Sequence, residues 1–192
     1  MKTASVNRAA ARYMLAMVVA SSAALCVAAP AEHDPASSAQ DCKDYDAAAQ
    51  RALGTMERDQ LALQAIRDVT GQAVVVPTLT VGQAYRLALL PQEQVTFAVA
   101  PGRHTLAEGS AAGVFQFTTL DGGHYRINIS DGSWVDVSEG ERLLQSITFN
   151  GRHHCQPLRK YVEYSLAPGT TYTLQFSGGA KSEMSLLIST LE

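Results

Sequence analysis

The sequence predicts a mostly β protein: an antiparallel β-sandwich, jelly-roll-like, with one N-terminal amphipathic helix. Three observations predict this class. After Gly71, apolar and polar residues alternate at every second position, as they do in strands that bury one face. Turn dipeptides that contain glycine separate the alternating segments. Before Gly71, apolar residues recur at intervals of three, four or seven, which is the spacing of one helix face.

The N-terminus has the pattern of a signal peptide, which we expect to span residues 1–31. Lys2, Arg8 and Arg12 form a basic start, and an apolar stretch follows from Met14 to about Ala29. Ala29-Pro30-Ala31 then has the small-x-small pattern of a cleavage site. The apolar run is shorter than the roughly twenty residues of a spanning helix. We therefore expect a periplasmic or secreted protein with no integral membrane segment after processing.

Three segments follow the leader. Residues 32–40 are polar, contain Pro and Ser and lack periodicity, which predicts a disordered spacer. Residues 41–71 are expected to form the helix, and Gly71 is its stop signal. Its apolar stripe comprises Tyr45, Ala49, Ala52, Leu53, Met56, Leu63 and Ile66. Residues 72–192 are expected to form the β-sandwich domain.

Six sets of apolar residues in the C-terminal segment have the spacing of strands. They are Tyr85/Leu87/Leu89, Val95/Phe97/Val99, Tyr125/Ile127/Ile129, Val162/Tyr164/Leu166, Tyr172/Leu174/Phe176 and Met184/Leu186/Ile188. Turn signals such as Asp131-Gly132 and Pro168-Gly169 separate them. Because no helix-length pattern lies between the sets, antiparallel strands are favoured over parallel βαβ units. We expect seven to nine strands.

Cysteine usage predicts one disulfide. Loss of the leader removes Cys26 and leaves Cys42 and Cys155, and an even count in an exported chain favours pairing. The bond would join the helix to the loop after Phe149.

The charge balance excludes two classes of partner. The chain has a formal net charge of -3, and removal of the three basic leader residues makes it more acidic. This mild acidity, spread along the chain, argues against nucleic acid or an anionic membrane as a partner.

Residues 131–137 and the loop after Pro101 supply the candidate binding residues. Trp134 is the only tryptophan, and with Asp136 beside it the ring could form a platform on which a sugar stacks. The alternative is a hairpin turn in which Trp134 fills the sandwich edge. Arg103 and His104 follow a turn and could line a cleft.

No catalytic or metal-binding motif is recognisable. Arg152-His153-His154-Cys155 suggests a metal site in which His104 or His124 would join His153 or His154. The alternative is a polar loop around the disulfide. Because the ligand spacing of known sites is absent, we predict no cofactor, no metal site and no catalytic residue.

From about Asp41 onward, the order of features resembles a set of small exported proteobacterial proteins. The matching pieces are Cys42 with Tyr45, Gly123-His124-Tyr125-Arg126, Trp134-Val135-Asp136-Val137, Phe149-Asn150-Gly151-Arg152 before Cys155, Lys160-Tyr161-Val162-Glu163-Tyr164 and Leu174-Gln175-Phe176-Ser177-Gly178. The β part is also similar to the sandwich modules called pre-peptidase C-terminal domains. The resemblance implies the sandwich and the cysteine pair, and it carries over no catalytic residue. Members of the exported set often have the name homogentisate dioxygenase.

Two functions follow from these observations. The first is an exported, non-enzymatic binding or accessory protein of the bacterial envelope, whose partner is an unknown envelope protein or a polysaccharide. The alternative is a metal-dependent enzyme of the dioxygenase type that uses the loop histidines.

Overall fold

The computed structural model describes residues 42–58, 60–65, 76–103 and 108–191. These residues form helix α1 (Ala47–Met56) and twelve strands. The strands are β1 (Leu61–Gln64), β2 (Thr78–Leu79), β3 (Ala84–Ala88), β4 (Leu90–Pro91), β5 (Ala111–Thr118), β6 (Gly123–Ile129), β7 (Trp134–Glu139), β8 (Arg142–Leu143), β9 (Thr148–Gly151), β10 (Lys160–Leu166), β11 (Thr171–Gly179) and β12 (Glu183–Thr190). The predicted signal peptide (1–31), the predicted spacer (32–40) and His104 lie outside the described residues.

The strands form two six-stranded sheets, as the sequence predicts for a sandwich. Sheet 1 has the order β1-β3-β12-β6-β10-β9. Sheet 2 has the order β2-β5-β11-β7-β8, and β4 pairs with β5 beside this path. Neighbouring strands are antiparallel except at two edges, where β1 pairs with β3 and β2 pairs with β5 in parallel.

The core lies between the two sheets and is built by the alternation seen in the sequence. Five of the six predicted sets contribute to one buried cluster. Its largest fully buried members include Phe115, Phe117, Phe176, Leu87, Ile127, Ile129, Leu174, Leu186 and Ile188. Because each strand buries every second residue here, its other residues lie on the outer face of its sheet.

Helix α1 packs on the outer face of sheet 1. Its buried residues are Ala49, Ala52 and Met56, which contact a second cluster that includes Tyr161 and Leu187. The two alanines have no side chain beyond Cβ, so they allow the helix to approach the strands closely. In the described part of the chain, no helix is both long and apolar enough to span a membrane.

A disulfide joins the chain just before α1 to the loop between β9 and β10. It links Cys42 to Cys155 across a sequence separation of 113 residues, as predicted. Cys155 is fully buried in the cluster beneath the helix. Tyr45 adds to this connection, because its hydroxyl donates to the backbone oxygen of Arg159 at 3.0 Å.

The prediction of one helix over residues 41–71 is wrong in its length. Helix α1 ends at Met56, and Leu61–Gln64 form strand β1 instead. Leu63 is seven residues from Met56, a spacing that fits a helix face, but it packs against the core as part of an edge strand. Pairing with β3 has overridden the local pattern. Ile66 and Gly71 lie outside the described residues.

The prediction of a strand through Val95, Phe97 and Val99 is also wrong. A short 3-10 helix (Gln92–Gln94) is followed by residues 95–103, which pair with no strand among the described residues. We call this segment the strap. Gln175, on the outer face of β11, donates its side-chain amide to the backbone oxygen of Val99 at 2.8 Å. Side chains of sheet 2 thus take the place of a partner strand.

The expected number of strands, seven to nine, is too low for the described residues. The additional strands are short: β2, β4 and β8 have two residues each, and β1 and β9 have four. A pair of residues is too short to show alternation, so the sequence does not reveal such strands.

Candidate binding site

A cavity of about 430 Å³ lies where the two sheets meet at one edge of the sandwich. Sheet 2 contributes the start of β7, and sheet 1 contributes β9 and the start of β10. The aromatic side chains in its wall are Trp134 and Phe149, which are 37% and 71% exposed. The cationic ones are Arg103, Arg152, Arg159 and Lys160.

Strand register explains how sheet 1 forms its part of the wall. Lys160 pairs with Gly151 and Val162 pairs with Phe149, so all four residues lie on the same face of neighbouring strands. Gly151 has no side chain, which leaves room above the edge strand.

In sheet 2, the edge is open beside Trp134. Strand β8 pairs with β7 only at Ser138 and Glu139. In the described residues, the first part of β7 therefore has β11 on one side and no strand on the other. Trp134 stands at this open end.

The indole of Trp134 is held by Asp136, which lies two residues further along β7. Its Nε1 donates to Oδ1 of Asp136 at 2.9 Å, and the backbone N–H of Gly102 donates to Oδ2 at 3.0 Å. A Cβ at Gly102 would lie 3.0 Å from Oδ1 and 3.4 Å from the indole nitrogen. The close approach of the strap to this carboxylate thus favours glycine at position 102.

Two cations flank the indole ring. Cζ of Arg103 lies 5.8 Å from the ring centroid, and Nζ of Lys160 lies 5.6 Å from it. Both distances fall within the range of a cation–π contact. Lys160 also donates to the backbone oxygen of Ser133 at 2.9 Å. Burial is the main cause that lowers the pKa of Lys160. The carboxylates of Asp131 and Asp136 oppose this shift, whereas the positive charges of Arg103 and Arg159 add to it.

Arg159 and Arg152 extend the positive wall towards the disulfide loop. The guanidinium of Arg159 lies 3.2 Å from Nδ1 of His153, and a Cβ at Gly132 would lie 3.5 Å from its Cζ. Arg152 lies over the ring of Tyr45, with its Cζ 5.9 Å from the centroid. The cavity wall is thereby connected to the segment that precedes helix α1.

No carboxylate is among the side chains in the described wall of the cavity. Two aspartates lie behind it, and both are engaged by neighbouring donors. Asp131 accepts from the backbone N–H and the hydroxyl of Ser133, while Asp136 accepts from Trp134 and Gly102. In the described residues, no ion pair joins a carboxylate to Arg103, Arg159 or Lys160. The wall therefore presents positive charge to a ligand.

The structure brings together three of the four candidate binding residues. Trp134 and Arg103 line the cavity, and Asp136 lies directly behind the indole. His104 lies outside the described residues. That these residues bind a ligand remains a prediction.

The candidate metal ligands do not form a cluster in the described residues. His153 and His154 occupy the turn after β9, with ring centroids 6.5 Å apart, and Cys155 is in the disulfide. His124 lies on the outer face of sheet 1, where its Nδ1 is 3.1 Å from Oε1 of Glu163. Among the described residues, no three His, Cys, Asp or Glu side chains are placed to hold a metal ion.

Glu163 belongs to an ion network that joins sheet 1 to the start of α1. Nε of Arg126 lies 3.2 Å from Glu163, and its Nη1 donates to Oδ1 of Asp46 at 2.7 Å. The same oxygen of Asp46 accepts from the backbone N–H of Ala49 at 2.8 Å and caps the helix. The hydrogen bond from Arg126 holds the pKa of Asp46 below its usual value. This network therefore has a structural role.

Sequence reasoning missed Phe149, Arg159 and Lys160 as members of the site. The available signal was the density of basic and aromatic residues between positions 149 and 160. Within it, Arg152-His153-His154-Cys155 suggests a metal loop, which draws attention to the histidines and away from the basic residues. Their common position in the cavity wall depends in part on the pairing of β10 with β9, which the sequence does not reveal.

Comparison with known proteins adds little to this picture. No protein-family model matches the chain, and no curated protein matches it. A β-glucosidase structure from Paenibacillus barengoltzii is similar over 68% of this chain, at 17% sequence identity and a TM-score of 0.28. The chain spans 13% of that enzyme's length. A likeness with so low a TM-score does not bear on the function of this protein.

Proposed function

We propose that this protein is an exported, non-enzymatic binding protein of the bacterial envelope, and that its cavity takes a saccharide. Trp134 is the observation that carries the proposal. Its indole is partly exposed in the wall of a concave site, and Asp136 fixes its orientation. An aromatic ring held in this way can stack on the apolar face of a sugar without first losing side-chain freedom.

The remainder of the wall supplies partners for sugar hydroxyls. Arg159, Lys160 and Ser146 carry N–H or O–H donors at the cavity, and Phe149 adds a second aromatic surface. The volume of about 430 Å³ falls within the range of small-ligand pockets, about 300–1,000 Å³. Apolar surface with a few polar groups is the usual composition of such pockets.

Two features support export. The disulfide between Cys42 and Cys155 is of the kind that persists in oxidising compartments. The basic start and apolar stretch of residues 1–31 have the pattern of a signal peptide.

A glycan microarray tests this function. The processed, oxidised protein should bind a subset of immobilised glycans, and Trp134→Ala should abolish that binding because it removes the stacking surface. Trp134→Phe should retain part of it. Leu120→Ala is the matched control, since Leu120 is 86% exposed and does not line the cavity. Absence of binding above background, or equal binding by Trp134→Ala, would refute the proposal.

A further inference from the structure

The cavity wall is more positively charged than recognition of a neutral sugar requires. We propose that the saccharide is anionic and bears a carboxylate or a phosphate, and that Arg103, Arg159 and Lys160 hold this group. The inference rests on the proposed function, because it specifies the ligand of the same cavity.

Two of the cations lie over the indole ring with which the sugar is proposed to interact. The cationic groups of Arg103 and Lys160 both lie within 6 Å of the indole centroid. A ring stacked on Trp134 would therefore bring a substituent within reach of either cation. Arginine presents paired N–H groups that match a carboxylate or phosphate, and lysine adds a point charge.

The described wall itself contains no carboxylate, although Asp131 and Asp136 lie near enough to act on the charge of Lys160. Asp131 and Asp136 lie behind the wall, and their oxygens accept from Ser133, Trp134 and Gly102. The cations of Arg103, Arg159 and Lys160 repel one another in a partly desolvated space. An anion would relieve this repulsion and would accept charge-assisted hydrogen bonds, which are stronger than neutral ones.

Shape favours a small acidic saccharide over an acidic polymer surface. The cations converge on one concave site, whereas a membrane or nucleic acid is typically contacted by a broad basic surface. The whole chain has a net charge of -3. An acidic peptide has the same charge as the proposed ligand but cannot offer a sugar face to Trp134.

Calorimetric titration of the processed protein tests two points separately: whether the cavity binds a saccharide, and whether it prefers an acidic one. The probes are galacturonate, its methyl ester, galactose 6-phosphate and a peptide of glutamates. The ester has the same sugar ring without the charge. We expect galacturonate or galactose 6-phosphate to bind at least about 10-fold more tightly than the ester. Preference between the two acids identifies the carboxylate or the phosphate as the recognised group. Raising salt from about 0.05 M to about 0.5 M should weaken only the charged probes.

Variants locate the effect in the cavity. Arg159→Gln should reduce the affinity for the preferred acid at least about 10-fold and leave the ester unchanged, since only a charge-assisted contact is lost. Arg103→Gln, at the exposed end of the strap, should likewise weaken binding of the acid and leave binding of the ester unchanged. Lys181→Gln is the control, because Lys181 is exposed and does not line the cavity.

Each outcome is decisive. Equal affinity for acid and ester would overturn the anionic ligand and leave saccharide binding intact. If the glutamate peptide binds as tightly as the acidic saccharides, the conclusion that the ligand is a saccharide would be overturned. Failure of every saccharide, here and on the microarray, would refute the proposed function itself.

Discussion

The indole of Trp134 donates a 2.9 Å hydrogen bond to the carboxylate of Asp136, its neighbour two residues along β7. Strand alternation places the two side chains on the same face of sheet 2. The carboxylate also accepts from Gly102, so one buried group orients both the aromatic platform and the strap. Arg103, the next residue of the strap, thereby stays close to the indole.

Asp136→Ala tests this relationship. The substitution leaves the Trp134 and Gly102 N–H groups without their acceptor, so we expect a loss of about 1–3 kcal/mol in the free energy of unfolding. Because Trp134 is the only tryptophan, its emission reports on the site alone, and we expect it to shift to longer wavelength. Asp136→Asn is the control, since it retains one acceptor oxygen. Unchanged emission in Asp136→Ala would show that the hydrogen bond does not hold the ring.

The disulfide should contribute a large part of the stability. It closes a loop with a sequence separation of 113 residues, for which the chain-entropy estimate is about 5 kcal/mol. Cys42→Ala with Cys155→Ala should lower the free energy of unfolding by about 2–5 kcal/mol in urea titrations. Reduction of the wild-type protein should produce a similar loss. A double variant as stable as the wild type would contradict this account.

Asp46→Asn should reveal the ion pair with Arg126 through its pH dependence. Asparagine still caps a helix, so the substitution removes the charge and keeps the cap to Ala49. The folded-state pKa of Asp46 lies below its ordinary value of 3.8, chiefly because of the hydrogen bond from Arg126. Its stabilisation is therefore complete above about pH 4 and is lost as the pH falls through the folded value.

The wild type should accordingly be more stable than Asp46→Asn at pH 7, and the difference should shrink below about pH 4 and disappear once the pH is below the folded-state pKa of Asp46. The two proteins differ only at position 46, so comparison of the two urea curves isolates Asp46. If the difference in unfolding free energy between the two proteins stays constant with pH, it arises from packing and not from the charge of Asp46.

Lys160→Met should separate stability from ligand binding. Because burial lowers the pKa of Lys160, the folded state disfavours its charge, and stability rises as the pH increases through the folded value. Methionine keeps the apolar stem and removes the charge, so we expect a melting temperature no lower than that of the wild type. Affinity for the anionic saccharide should fall about 10-fold.

Lys181→Met, on an exposed side chain, is the matched control and should change neither quantity. A marked loss of stability in Lys160→Met would show that the hydrogen bond to Ser133 is the main role of this lysine.

The parts of the fold that the sequence predicted are those with a local signature. Tyr125, Ile127 and Ile129 alternate, and they are buried on β6 as expected. The spacing of seven residues from Met56 to Leu63 fits one helix face and wrongly predicts that the helix continues. Leu63 instead belongs to β1, because this segment pairs with β3. The same alternation at Val95, Phe97 and Val99 predicts a strand that is not formed. The side chain of Gln175 instead makes hydrogen bonds with the backbone of Val99.

The site was predictable only in part. Trp134 and Asp136 lie two residues apart, so their association is visible in the sequence. Lys160 reaches Trp134 through contacts between two sheets, and such contacts have no local pattern.

The most direct test of the account is the indole N–H resonance of Trp134 in a proton–nitrogen correlation spectrum, where the single tryptophan gives one signal. We predict that titration with the preferred anionic saccharide moves this signal in a saturable manner, and that Arg159→Gln needs at least about 10-fold more saccharide for the same movement. An indole signal that does not move while the saccharide binds would place the ligand elsewhere and contradict the account.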